Sequence, residues 1–144
     1  FSAFEPNSNY VRVYEPKKSF GPPEWRRMVY QQKVRMQQDG TFGTFDCPDG
    51  GQVCPKRTRS TTALQSLNLL NSSFMVEQAG FFAERLEREA GADVSAQVRH
   101  AFRCAFSREP DLDEAAASVK LVEGHGLKAL CRALFNANEF LFIN

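Results

Sequence analysis

No run of apolar residues in this chain approaches the ~20 needed to cross a bilayer as a helix, so no helical membrane span is expected. Charge of one sign is lacking as well: eighteen Lys and Arg stand against seventeen Asp and Glu, for a net charge of +1. That balance leaves no global field to draw in nucleic acid or anionic lipid, although Lys56-Arg57-Thr58-Arg59 is locally basic. Gly-x-Gly-x-x-Gly, Gly-x-x-x-x-Gly-Lys and Gly-x-Ser-x-Gly are all missing. Their absence removes the signatures of dinucleotide binding, of a phosphate loop and of an esterase nucleophile elbow. Covalent haem needs Cys-x-x-Cys followed by His. Cys47 and Cys54 are seven apart, and neither His100 nor His125 adjoins a cysteine pair, so c-type haem is not expected on this segment.

What the chain does contain is enough apolar material for a core. Of 144 residues 42% are hydrophobic and thirteen are Phe, which excludes a disordered tail. A domain of this length buries roughly two-thirds of its unfolded surface and needs no metal or disulfide to fold. The sequence starts at Phe1 without a charged-then-apolar leader, and reads as a piece of something longer. Four cysteines are present. Cys47 and Cys54 bracket a short loop and are the best candidates for a disulfide, whereas Cys131 shares a helical stripe with Leu127, Leu134 and Phe135 and reads as a buried thiol.

The pattern is mainly α and divides near residue 60. Residues 1–59 read as an irregular arm and loop, punctuated by Pro and Gly, with Tyr10–Tyr14 as a strand candidate. Residues 24–38 fit a helix through Trp25, Met28, Val29 and Val34, or a strand centred on Met28–Tyr30. Residues 39–59 form a long Gly- and Pro-rich loop that Phe42 and Phe45 could anchor. From 60 to 144 the spacing predicts a compact bundle of about five helices. Leu64, Leu67 and Leu70 mark the first, after a Ser60–Thr62 cap. Phe74, Gln78, Phe81, Phe82 and Leu86 mark the second, from a cap at 71–73 to a stop at Gly91. Asp93 caps a stripe of Val94, Val98, Ala101, Phe102, Ala105 and Phe106, and Asp111 or Asp113 starts a helix through Val119 and Val122. Leu127, Leu130, Leu134 and Phe135 follow, and Glu139–Ile143 is expected to pack back on the bundle.

Five stretches, in order, resemble one family. Arg26–Tyr30 resembles its RRSxY segment and Phe45-Asp46-Cys47-Pro48-Asp49 its FDxPD loop. Arg57–Asn71 resembles RxxSTTPLQALxLLN, Ala101–Pro110 resembles AFRLALGRxP, and Leu134–Phe140 resembles LLNSNEFL. Together they cover the chain from about residue 25 to its end and identify it as similar to the C-terminal planctomycete domain of unknown function. The resemblance implies a helical C-terminal part of a large secreted protein, periplasmic or extracellular, with upstream domains that often include a c-type cytochrome. It implies no reaction. Two departures stand out: Ala63 where the family usually has Pro, and Ser107 where it usually has Gly.

Candidate chemistry concentrates in the 39–59 loop. Asp46 and Asp49 could offer oxygens to calcium, but a full site needs six or more and the helix-loop-helix spacing is missing. Zinc from Cys47, Cys54 and a distant His lacks a four-ligand set. Asp46 facing Arg57 or Arg59 makes a structural pin, with a general acid–base role for Asp46 or Asp49 as the catalytic counterpart. Trp25 and Tyr30, beside Gln31 and Gln32, could line a sugar-binding surface or simply pack. His100 is expected to be solvated, and His125 to mark a helix boundary. The favoured function is therefore a non-catalytic helical module that packs on upstream domains. The alternative is a glycan-binding or hydrolytic site built on the 39–59 loop.

Overall fold

The computed structural model describes residues 4–6, 14–17, 19–32, 43–45 and 62–141. By their contacts they fall into two compact units, Phe1–Asn68 and Leu69–Asn144. Asp46, Cys47, Asp49, Cys54, Arg57 and Arg59 lie outside the described residues, as do Phe42 and the tail from Phe142.

In the first unit, β1 (Phe4–Pro6) pairs antiparallel with β2 (Tyr14–Pro16), placing Glu5 opposite Glu15. The strand thus starts at Tyr14, where the expected one was to end; residues 10–13 are not among those described. Residues 22–24 and 28–30 form single 3₁₀ turns, in place of the expected helix or strand. Pro22 and Pro23 supply the preset φ for the first turn, and the Glu24 carboxylate accepts from the Gly21 N–H at 2.9 Å and from Lys17 at 3.1 Å.

α1 (Ala63–Asn71) crosses the boundary between the units. Its start is a reciprocal capping box: the Gln65 N–H donates to Thr62 Oγ1 at 3.3 Å and the Thr62 N–H donates to Gln65 Oε1 at 3.1 Å. Ala63 is then the first helical position, where a missing backbone donor costs nothing. That accounts for Pro as the usual family residue there. Gln65 also donates to the Thr44 carbonyl at 3.0 Å, and Asn68 donates to Thr44 Oγ1, so α1 holds the 3₁₀ turn at Gly43–Phe45 by its polar side. The leucines that mark this helix lie outward: Leu64 is 60%, Leu67 55% and Leu70 37% exposed.

In the second unit, α2 (Ser73–Ala90), α3 (Val94–Phe106), α4 (Leu112–His125), α5 (Leu127–Phe135) and the one-turn α6 (Asn138–Leu141) follow one another through short connections. Short connections of this kind join neighbouring helices in bundles. The starts of α2, α3 and α4 each have a side-chain cap: Ser72 accepts from Met75, Asp93 from Ser95, and Asp111 from Glu114, whereas α5 starts at Gly126 without one. Gly91 (φ 72) and Gly126 (φ 84) end α2 and α4 in backbone that side chains other than Gly avoid. The core joins Ala79, Ala83 and Leu86 of α2 to Val98, Ala101 and Phe102 of α3, Val122 of α4, and Leu127, Leu130, Cys131 and Leu134 of α5. On α2 the buried stripe is thus turned from the phenylalanines towards the alanines, because small residues let α5 and α3 approach closely. Phe81 is 38% exposed, and Phe82 is half-buried, stacked on Phe135 at 5.6 Å.

Candidate functional site

α3 ends at Ser107, which takes a left-handed conformation (φ 59) and donates its N–H to the Arg103 carbonyl. Only Gly adopts that backbone without penalty, which explains the usual family Gly at this position. The turn sends Arg108 back over the end of its own helix. Its guanidinium carbon lies 5.6 Å from the ring centres of both Phe102 and Phe106, which meet edge to face. Arg108 Nη1 and Nη2 donate to the two oxygens of Glu114, both at 2.7 Å. Nε and Nη2 donate to the two oxygens of Glu139, both at 2.8 Å. Nη1 also reaches the Glu109 carbonyl at 3.0 Å.

One guanidinium fork therefore clasps two carboxylates, one at the start of α4 and one on α6. Glu114 additionally accepts from the Asp111 N–H at 2.9 Å, closing the α4 capping box. The Arg108 fork, and then that backbone donor, hold the Glu114 carboxyl down at about 2; Arg108 also holds Glu139 below the usual carboxylate range. The two glutamates raise Arg108 further above its already high value. Carboxylates so firmly ionised, with all four oxygens bound, are poor general acids and weak bases. What they do well is fix geometry: the clasp joins the Ala101–Pro110 block to the Leu134–Phe140 block. Beside it, Phe102, Phe106, Leu121, Leu130 and Leu134 line a shallow apolar groove of about 290 Å³ with Glu114 and Glu139 at its edge.

A second polar chain ties α2 to α3. Arg85 Nε donates to Glu89 at 2.9 Å, Glu89 meets His100 Nε2 at 2.7 Å, and Cys104 Sγ lies 3.8 Å from that same nitrogen. His100 is therefore paired with a carboxylate, not simply solvated, and Arg85 and then His100 hold Glu89 below its ordinary value. Nucleophile, imidazole and carboxylate are neighbours here, but thiol and carboxylate meet one ring nitrogen. A relay needs them on opposite nitrogens, so this is a hydrogen-bonded chain and not a catalytic triad. Cys131 is no nucleophile either, since burial pushes its thiol up to about 12. His125 ends α4, exposed, as its position between glycines indicates.

Trp25 and Tyr30 are 46% and 68% exposed, and the indole N–H of Trp25 donates to the Phe20 carbonyl at 3.2 Å. Gln31 beside them is buried, with Gln32 exposed. Asp46, Asp49, Arg57 and Arg59, and with them the calcium, acid–base and Cys47–Cys54 disulfide readings, fall outside the described residues. Among the described residues no group of three or more His, Cys, Asp and Glu could hold a metal, and no helix is long and apolar enough to cross a membrane. Sequence reasoning passed over Arg108, Glu114 and Glu139 as functional candidates. The available signal was the pair of resembling blocks that carry Arg108 and Glu139, with the Asp111-x-x-Glu114 capping pattern between them.

No curated protein and no solved structure matches the chain. The sequence pattern of the family PSD1, described as a protein of unknown function (DUF1553), matches residues 2–122. The match takes in most of the chain, including the Gln65 cap, the Ser107 turn, Arg108 and Glu114. The chain belongs to this family of unknown function.

Proposed function

We propose that this chain is a non-catalytic helical module that packs against upstream domains of a secreted, periplasmic or extracellular protein and positions them. The observation that carries this reading is the Arg108 clasp. Arg108 and Glu139, from two of the resembling blocks, are bound together with Glu114 between them, and all four oxygens of the two glutamates accept from the one guanidinium, an arrangement that holds helices and keeps these two carboxylates from proton transfer. The Gln65 and Asn68 contacts to Thr44 support it in the same way, since a signature helix uses its polar side to anchor a turn.

The test is made in the longer protein. Asp46→Asn and Arg108→Met are each compared with the unaltered protein for turnover of glycoside and ester substrates and for melting temperature. A module that only packs gives lower melting for Arg108→Met and no loss of turnover specific to either variant. Loss of turnover in Asp46→Asn with unchanged melting overturns the proposal.

A further inference from the structure

Residues 25–30 of the first unit are at once anchored and exposed. Phe20 before them is 4% and Gln31 after them 7% exposed, so the chain enters and leaves this stretch through buried side chains. Between those points Trp25, Val29 and Tyr30 are 46%, 79% and 68% exposed, and Arg26 and Arg27 are exposed as well. Single apolar side chains in water are ordinary, whereas several large ones in one short stretch mark an interaction site.

The backbone under these side chains is held in place. Glu24, bound to the Gly21 N–H and to Lys17, fixes the turn at Pro22–Glu24, and the Tyr30 N–H donates to the Arg27 carbonyl at 2.9 Å. The indole N–H of Trp25 donates to the Phe20 carbonyl at 3.2 Å, which orients the ring. Rings and turns already in position lose little freedom when a ligand settles on them.

Along the stretch the chemistry runs ring, charge, charge, ring. Trp25 and Tyr30 flank Arg26 and Arg27, and six residues span no more than about 20 Å. Among the described residues neither arginine pairs with a carboxylate, and the adjacent acid, Glu24, is engaged by Lys17. The unit Phe1–Asn68 carries ten Lys and Arg against six Asp and Glu, a balance that favours an anionic ligand. Guanidinium forks take carboxylates in bidentate fashion, and the faces of aromatic rings receive the C–H faces of sugars. A glycan with neutral sugars on either side of an acidic one matches both features. A standard protein interface draws on about 20–30 residues a side, far more than this strip offers. Single-stranded nucleic acid is held by a basic groove that follows many successive phosphates, and two arginines do not make one.

We propose that Trp25, Arg26, Arg27 and Tyr30 form a binding site for an acidic polysaccharide whose charge is carried by uronate carboxylates. The Arg26–Arg27 pair takes the carboxylate, and the flanking sugars lie on the two rings. Such a site needs no catalytic group, and it stands whether or not the chain also packs on upstream domains.

Trp25 is the only tryptophan in the chain, so its emission reports on this site alone. The 144-residue chain is titrated with hyaluronan oligosaccharides, in which glucuronate alternates with N-acetylglucosamine, and separately with dextran, an oligothymidylate and polyglutamate. Hyaluronan should move the emission to shorter wavelength with a Kd at or below about 1 mM, while the other three leave it unchanged at the same concentration. Added salt should weaken the binding, because the arginines are exposed. Arg26→Gln/Arg27→Gln and Tyr30→Ala should each weaken it about tenfold or more. Melting temperature should not change, since all three side chains lie at the surface. Absence of any response to hyaluronan overturns the proposal, and so does binding that survives both variants. An equal response to dextran, to the oligothymidylate or to polyglutamate overturns it too, assigning the strip to neutral sugar, nucleic acid or acidic protein. Should Tyr30→Ala lower the melting temperature, the arginine double variant decides by the same criterion.

Discussion

Replacing Arg108 by Met tests the clasp directly, because Met keeps an apolar stem over Phe102 and Phe106 and removes only the fork. In the unaltered protein Glu114 sits at about 2, held first by Arg108 and then by the Asp111 N–H. The substitution deletes the first cause and leaves the second, so Glu114 should titrate between about 2 and the ordinary ~4.3. Glu139, whose depression comes from Arg108 alone, should return the whole way. The sign for stability follows from linkage. Both folded values lie below the unfolded ones, so the stabilisation is present above pH ~4.3 and is lost as pH falls towards 2. Arg108→Met should therefore melt a few degrees lower at pH 7, a modest change because these side chains are a third to a half exposed. The deficit should shrink on acidification through that window. Carbon-detected NMR titration of the two carboxyls, with thermal melts at pH 7, 4 and 2.5, reads both effects. If Glu114 titrates at its ordinary value in the unaltered protein, or the substitution leaves it unmoved, the clasp is not the electrostatic contact described here.

Three further outcomes follow from local structure. Ser107→Gly relieves a left-handed backbone and should stabilise the second unit by about 0.5–1 kcal/mol, measured by urea unfolding. Leu86→Ala removes a fully buried side chain from between α2 and its neighbours and should cost about 3 kcal/mol in the same assay. Iodoacetamide followed by peptide mapping should label exposed Cys104 in the native protein and spare Cys131 until it unfolds.

Much of the helical part was readable in the sequence because its signals are local. The caps at Ser72, Asp93 and Asp111 and the stop at Gly91 depend on side chains within a few residues of the backbone groups they satisfy. Even the residues usual in the family at positions 63 and 107 have local causes, a first helical position and a left-handed cap. Periodicity also placed the inward faces of α3 and α5 correctly, where apolar residues occupy one side only. On α2 it placed Leu86 in the core and Phe82 against it, but Phe81 lies outside: on α1 and α2 apolar residues occupy more than one side and the pattern alone cannot say which is covered. On α2 close helix approach selects the alanines, and on α1 the bonds to Thr44 turn the leucines outward. Arg108 meeting Glu139 could not be read from spacing, since thirty-one residues separate them and only the return of α4 and α5 brings them together. Sequence alone determined where helices begin and end, because capping is a short-range affair of hydrogen bonds. Tertiary structure decided which faces are buried and which charges are paired, because those depend on what the rest of the chain brings alongside.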